Sequence, residues 1–283
     1  MINKEILAEI WDDIENKDKK YFKIGFEELD EIIKIEEGKG AIITVGARPA
    51  MGKTALSLSF IEKILEQGKK VLAFSLEMSE KQFVQRFLAL NAEVDLMRLK
   101  IGQLSKSDYE KLAQGLNNLE NFDLTISDLA VTTDEIEEKI KEVKPDVVLI
   151  DYLQVIEGKR KMDRVTQIDN IMRDLKRIAK EQGVVIFILS QLSRALESRY
   201  DKRPLLSDFR ESGSIENTSD VVIFIYRPDY YRNSDEDNDI RIKGETEIIV
   251  AKNRFGPVDT SYMCFKANIA KFFSGRNRLN DIF

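Results

Sequence analysis

The chain has 283 residues, 43% hydrophobic and 33% charged, with a net charge of −6. A chain of this length can bury roughly 75% of the surface it exposes unfolded, so one large domain with a short appendage is expected. There is no histidine and a single cysteine, Cys264. This excludes imidazole chemistry, disulfide frameworks within the chain and Cys-based zinc sites, and leaves acid–base work to carboxylates. The acidic balance gives no global pull toward nucleic acid but leaves room for a local basic channel. The opening "MINKEILAEIWDD" has no apolar run long enough for a signal peptide or a membrane span, which makes a cytoplasmic protein the expectation.

The first twenty residues stand apart. Ile6, Ile10 and Ile14, with Leu7 and Trp11 beside them, form an apolar stripe on a charged helix that ends in "ENKDKK". Such a helix either lies on its own domain or links to a neighbouring subunit and docks there. Beyond it, strand alternates with helix. "AIITV" (41–45), "KVLAFSL" (70–76), "DVVLI" (146–150), "VVIFIL" (184–189) and "VVIFIY" (221–226) are apolar and β-branched without in–out alternation, as parallel strands covered on both faces require. Helical spacing covers 54–67, 80–91, 106–119, 133–142 and 165–182. Ser79 with Gln82 and Thr132 with Glu135 match the capping-box spacing. This alternation predicts an α/β fold with a doubly wound, mainly parallel sheet. "TEIIVAKN" (246–253), "SYMCFKA" (261–267) and "AKFFS" (270–274) follow too closely for crossovers and predict antiparallel strands. "NSDEDND" (233–239) reads as a solvated loop.

The stretch "GARPAMGKT" (46–54) carries the first chemical signal. The phosphate-loop pattern G-x-x-x-x-G-K-[ST] would put a glycine at position 47, where Ala47 stands; Gly46 is one place early and reads as the last residue of the strand. Ala47 loses little there if its backbone stays ordinary. With a strand before and an apolar helix after, the loop reads as a nucleotide site. Ala50, Met51, Gly52, Lys53, Thr54 and Ala55 are the expected contacts, with Lys53 on the β- and γ-phosphates and Thr54 on Mg²⁺. Ligands of open parallel sheets bind outside the carboxyl ends of the strands, where this sequence places Glu77, Asp151, Ser190 and Gln191. Each has an ordinary reading as a helix or loop starter. Together they supply what ATP hydrolysis needs: Asp151 as a metal-site carboxylate, Glu77 to orient or deprotonate the attacking water, and Gln191 to sense the γ-phosphate.

"GARPAMGKTAL", "FSLEMS", "LIDYLQVI", "ILSQLSR", "RPLLSDFRESGSIENTSDVVIFIYRPDYY" and "KNRFGPVDT" together resemble the motor domain of the DnaB-type replicative helicases, a RecA-like fold, from about Phe22 onward. The resemblance implies a ring, usually of six subunits, that uses ATP and Mg²⁺ to move along single-stranded DNA and unwind duplex. It implies catalytic roles for Glu77 and Gln191, a metal site at Thr54 and Asp151, and Lys252 and Arg254 of "KNRFG" reaching the adjacent subunit's ATP, with Arg254 as an arginine finger. It maps DNA contact to Arg210, Glu211 and Gly213 of "RESGS". The segment from Arg194 to Arg210 carries five basic and three acidic residues with few aromatics, which fits phosphate tracking with little sequence preference. "EGKRKMDR" (157–164) faces either that channel or solvent. Members of the family carry an N-terminal helical collar that contacts primase. This sequence lacks it, as either an isolated motor fragment or a naturally short phage or plasmid relative, which puts primase and loader contacts in doubt. The division implied is a linker helix over 1–20 and a motor domain over 21–283. Two rivals share parts of the pattern: a RadA-like branch-migration ATPase, whose zinc element and protease-like domain have no counterpart here, and a KaiC-type regulatory ring ATPase that binds proteins and not DNA.

Overall fold

A computed structural model describes residues 7, 11, 19–129, 132–158, 162–209, 213–231 and 244–275. In chain order the main elements are α1 (Glu27–Ile32), β1 (Ala41–Ala47), α2 (Lys53–Glu66), β2 (Val71–Ser75), α3 (Glu80–Asn91), α4 (Leu96–Ile101), α5 (Lys106–Asn121), β3 (Leu124–Ser127), α6 (Thr133–Val143) and β4 (Val147–Asp151). There follow α7 (Arg164–Gln182), β5 (Val185–Gln191), α8 (Gly213–Thr218), β6 (Val221–Tyr226), α9 (Pro228–Tyr231), β7 (Glu245–Asn253), β8 (Asp259–Lys266) and β9 (Lys271–Ser274). The nine strands form one sheet in the order β3-β2-β4-β5-β1-β6-β7-β8-β9. Pairing is parallel from β3 to β6 and antiparallel from β6 to β9. The doubly wound sheet with an antiparallel extension is therefore the one the sequence predicts.

The apolar runs are explained by two cores, one on each face. Ile43 and Val45 of β1, with Phe187 and Leu189 of β5, pack toward Leu56, Phe60 and Ile64 of α2. The intervening Ile42, Ile186 and Ile188 pack toward Leu175 and Ile178 of α7. With side chains alternating across the strand, both faces must be apolar, which erases the in–out pattern. Both expected capping boxes form, at Ser79–Gln82 and Thr132–Glu135.

The differences from expectation are local. β3 escapes sequence reading because it is a four-residue, half-buried edge strand. α4 is too short for a periodic signal; Asp95 starts it by accepting from the amides of Met97 and Arg98, and Gly102 stops it at φ 72°. β9 begins at Lys271 and not at position 270, because Ala270 turns to φ 52°. β1 runs one residue past Gly46: Ala47 pairs with Gln191 and accepts a bond from the amide of Leu192 at 3.1 Å. The 233–239 loop and most of the first eighteen residues lie outside the described residues; Leu7 and Trp11 are helical and exposed.

Gly46 is required by packing. A Cβ there would lie 2.8 Å from Cε1 of Phe224, a fully buried ring held by Phe209 at 5.4 Å between centroids. Gly46→Ala is expected to lower stability by about 1–3 kcal/mol, the usual cost of overpacking a core. Ala47→Gly, which restores the strict loop pattern, is expected to lose about 0.5–1 kcal/mol from added chain entropy. Urea denaturation of the two variants checks both; a Gly46→Ala protein as stable as the parent would show that Phe224 yields freely.

Candidate nucleotide site

The loop between β1 and α2 wraps the start of a helix. Gly52 caps α2 in the left-handed region at φ 94°, and Ala50 also takes a positive φ of 66°. For an alanine that conformation costs about 1–2 kcal/mol, which the surrounding contacts must offset. Those contacts come from the antiparallel end of the sheet. Phe265 of β8 stacks on Phe272 of β9 at 4.5 Å, a Cβ on Gly52 would lie 3.2 Å from Phe272, and the Phe272 amide donates to Ser59 Oγ of α2 at 3.0 Å. The closely spaced C-terminal strands thus floor the loop and lock α2 against it.

The loop opens on a cleft of about 370 Å³. Ala50, Gly52, Lys53, Thr54 and Ala55 line it, as do Glu77 from the end of β2 and Gln191, the last residue of β5. Met51 does not: its side chain is buried in the core, and only its backbone belongs to the loop. Asp151, at the end of β4, lies just behind the cleft wall. It is 2% exposed, and its Oδ2 accepts from Thr54 Oγ1 at 2.9 Å. Its Oδ1 is buried and has no hydrogen-bond partner among the described residues.

Electrostatics tie these groups together. Burial pulls the Lys53 ammonium below its ordinary pKa, while the negative charges of Asp151 and Glu77 oppose the shift. Burial pushes the Asp151 carboxyl up, against the opposing pull of Lys53 and the Thr54 bond. A partly buried cation, a buried carboxylate with an oxygen unpartnered among the described residues and a helix N-terminus beside one cleft fit a phosphate anion carrying a divalent cation. Thr54 and Asp151 are the residues that would hold the metal.

Three residues of the cleft wall with polar side chains, Tyr152, Arg86 and Arg48, were not singled out in the sequence. Lys53 Nζ stands 4.8 Å from the centroid of the Tyr152 ring, Arg86 enters from α3, and Arg48 lines the mouth. Tyr152 follows Asp151 directly, so the strand-end rule extended by one residue would have found it. Arg86 lies within a helix, and only the packing of α3 brings it to the cleft.

Lys252 and Arg254 sit at the other end of the sheet. Asp220 joins them to the start of β1: its amide donates to Ile42 O at 2.9 Å, and its backbone oxygen accepts from Arg254 N at 2.9 Å. The phosphate loop follows the far end of β1, five residues on and about 17 Å away at strand spacing. Lys252 Nζ donates to Glu216 O at 2.5 Å, and Arg254 Nη2 to Asn217 O at 2.8 Å. Both cations therefore hold the last turn of α8, whose first residue is the exposed Gly213. Arg210 and Glu211 lie outside the described residues, as do residues 159–161 of the second basic loop. Among the described residues no helix is long and apolar enough to cross a membrane.

Comparison with known proteins fits this geometry. The family described as DnaB-like helicase C terminal domain matches residues 22–274. A protein named replicative DNA helicase DnaB, from Geobacillus stearothermophilus, is 38% identical over 98% of this chain; the chain spans 63% of that relative's length. Among solved structures, the ATPase domain of G40P superimposes with a TM-score of 0.87 at 34% identity, covering 96% of this chain and 98% of that one. A DnaB-like replicative helicase described with its interactions with primase gives 0.87 at 33% identity, covering 97% of this chain and 67% of that one. With residues 22–274 matched by the family and a relative 38% identical over 98% of its length, the chain belongs to the DnaB-like helicase C-terminal domain family.

Proposed function

We propose that this chain is the motor of a ring-shaped replicative DNA helicase, which hydrolyses ATP with Mg²⁺ to translocate on single-stranded DNA and unwind duplex. One observation carries the reading. Lys53, Thr54, Glu77 and Gln191 converge on one cleft, whereas Lys252 and Arg254 stand at the opposite end of the same sheet. Head-to-tail packing of subunits reunites the two halves of the site, and such an interface closes into a ring when its rotation permits. No observation favours a RadA-like or KaiC-type protein.

In this reading Lys53 and the amides of the loop and helix N-terminus bind the triphosphate. Thr54 and Asp151 hold Mg²⁺, which supplies neutralising charge at the phosphates. The Glu77 carboxylate accepts a proton from the attacking water, and Gln191 donates a hydrogen bond to the γ-phosphate. Arg254 of the adjacent subunit stabilises charge on the transferring phosphoryl group, with Lys252 beside it. Arg210, Glu211 and Gly213 follow the DNA backbone. Residues 1–20 act as a linker helix beside a motor domain over 21–283; the exposure of Leu7 and Trp11 supports a docking role. Primase or a loader are partners in a longer chain, and the protein works in the cytoplasm.

Lys53→Ala is expected to cut the ATPase rate by about 10² to 10³ or more, as loss of a charge-stabilising group in a dry site does. Retained turnover in a phosphate-release assay would remove the loop from the mechanism. Arg254→Ala alone should be similarly inactive, with the loss reaching about 10³ to 10⁵ if the finger is fully engaged. Mixed with Lys53→Ala subunits it should regain activity, because some interfaces then pair an intact cleft with an intact finger. No recovery at any ratio in demonstrably mixed rings would argue for action within one chain. Single-stranded DNA should raise the ATPase rate, and its affinity should fall steeply with salt. Absence of both stimulation and low-salt binding would sink the helicase reading.

A further inference from the structure

Arg48 is a cation in the phosphate loop that the hydrolysis scheme above does not use. It is 7% exposed and lines the cleft mouth, yet its guanidinium turns away from the loop toward the segment after β5. Nε and Nη2 donate to Glu197 Oε1 at 2.9 and 2.8 Å, and Nη1 donates to Leu192 O at 2.9 Å. One side chain of the nucleotide loop thus grips the segment at two points, its root and its first turn.

That segment leads to the element assigned to DNA. Glu197 lies in a 3-10 turn (Arg194–Ser198) anchored by the buried Leu196. The next residue but one, Arg199, makes a two-pronged pair with Asp208 at 3.0 and 2.8 Å. Asp208 also accepts from the Leu205 amide at 2.8 Å, and its carbonyl accepts from Ser193 N at 2.8 Å. Leu192 and Phe209 close the base as a β-bridge. The span from Leu192 to Phe209 is therefore one braced loop, and the residue after it is Arg210. It is tied to β7 through Arg203 and Glu247, at 2.8 and 2.7 Å, and to the phosphate loop through Arg48.

We propose that Glu197 is a positioning residue that, through Arg48, couples occupancy of the nucleotide cleft to the grip on single-stranded DNA. The physical basis is competition. Phosphate oxygens entering the cleft offer Arg48 a second anionic partner, and any share of the guanidinium they take is lost to the 192–209 loop. Nucleotide therefore binds the two arrangements of this loop with different affinity, the condition for a coupling free energy between sites. By linkage the effect is reciprocal: the factor by which nucleotide changes DNA affinity equals the factor by which DNA changes nucleotide affinity. A pair that only props up the loop changes DNA affinity equally with and without nucleotide.

The proposal rests on the helicase reading, and its test keeps the two apart. The binding of a fluorescent oligothymidylate is measured with and without a non-hydrolysable ATP analogue and Mg²⁺, and analogue binding is measured with and without the oligonucleotide. The chain is compared with Glu197→Gln, which keeps shape and one acceptor, and with Glu197→Ala. Coupling factors between sites run from about 5 to 150. In both variants the factor should fall toward one, by the same proportion in the two directions, with basal ATPase and melting temperature preserved in Glu197→Gln. Arg48→Lys, which cannot span both acceptors, should reduce the factor and add little to Glu197→Ala, since both remove one contact. An unchanged factor in Glu197→Ala overturns the coupling, as does an equal loss of DNA affinity with and without nucleotide. An unaltered chain that binds no DNA sinks the helicase reading and this coupling with it.

Discussion

A strand buried on both faces can carry polar chemistry only at its ends, and that constraint organises this molecule. β1, β2 and β4 are buried along their whole length. The polar exceptions inside are matched internally, as Thr44 is with Ser219 at 2.6 Å. Charged and polar groups such as Lys53, Glu77 and Gln191 are therefore driven to the carboxyl edge. There parallel pairing puts the ends of β1, β2, β4 and β5 side by side, bringing residues from four distant segments to one cleft. The antiparallel β7 runs the other way, so the cations at its end are delivered to the opposite edge.

Each edge is organised around a buried carboxylate. At the cleft, Asp151 holds Thr54 and keeps one oxygen unpartnered among the described residues, while Lys53 and Asp151 each moderate the other's burial cost. At the far edge, Asp220 is satisfied by the Ile42 amide at 2.8 Å, by Lys176 at 2.5 Å and by Arg254 at 3.4 Å. Buried carboxylates persist only when paired or when another ligand completes them. By that measure the far edge is already complete, and the near edge is built to be completed by something that enters the cleft. Arg254 holds the longest of the three contacts to Asp220 and is half exposed, so it is the member best placed to leave.

Much of this was legible in the chain itself. Continuous β-branched runs such as "VVIFIL" betray strands covered on both sides, and capping residues mark α3 and α6 where they begin. What escaped was whatever lacks a period or a contact in sequence. β3 and α4 are too short for hydrophobic repetition to register. Arg86 reaches the cleft only through the way α3 packs. Arg48 reads as an anonymous position of the loop pattern, and its engagement with Glu197 spans 149 residues of sequence. Gly46 is a further case, since neither turn nor ligand requires it; a phenylalanine ring from β6 does.

The sequence by itself determined the long strands and helices, the glycine-containing loop after β1 and the polar residues at the strand ends, because these depend on side-chain periodicity and on chemistry confined to a few neighbouring positions. Only the tertiary structure decided which groups share a cleft, which stand at the far edge and which cation of the loop is held by a distant acid. Those facts are set by strand order and side-chain packing, which bring together residues whose separation along the chain carries no trace of their contact.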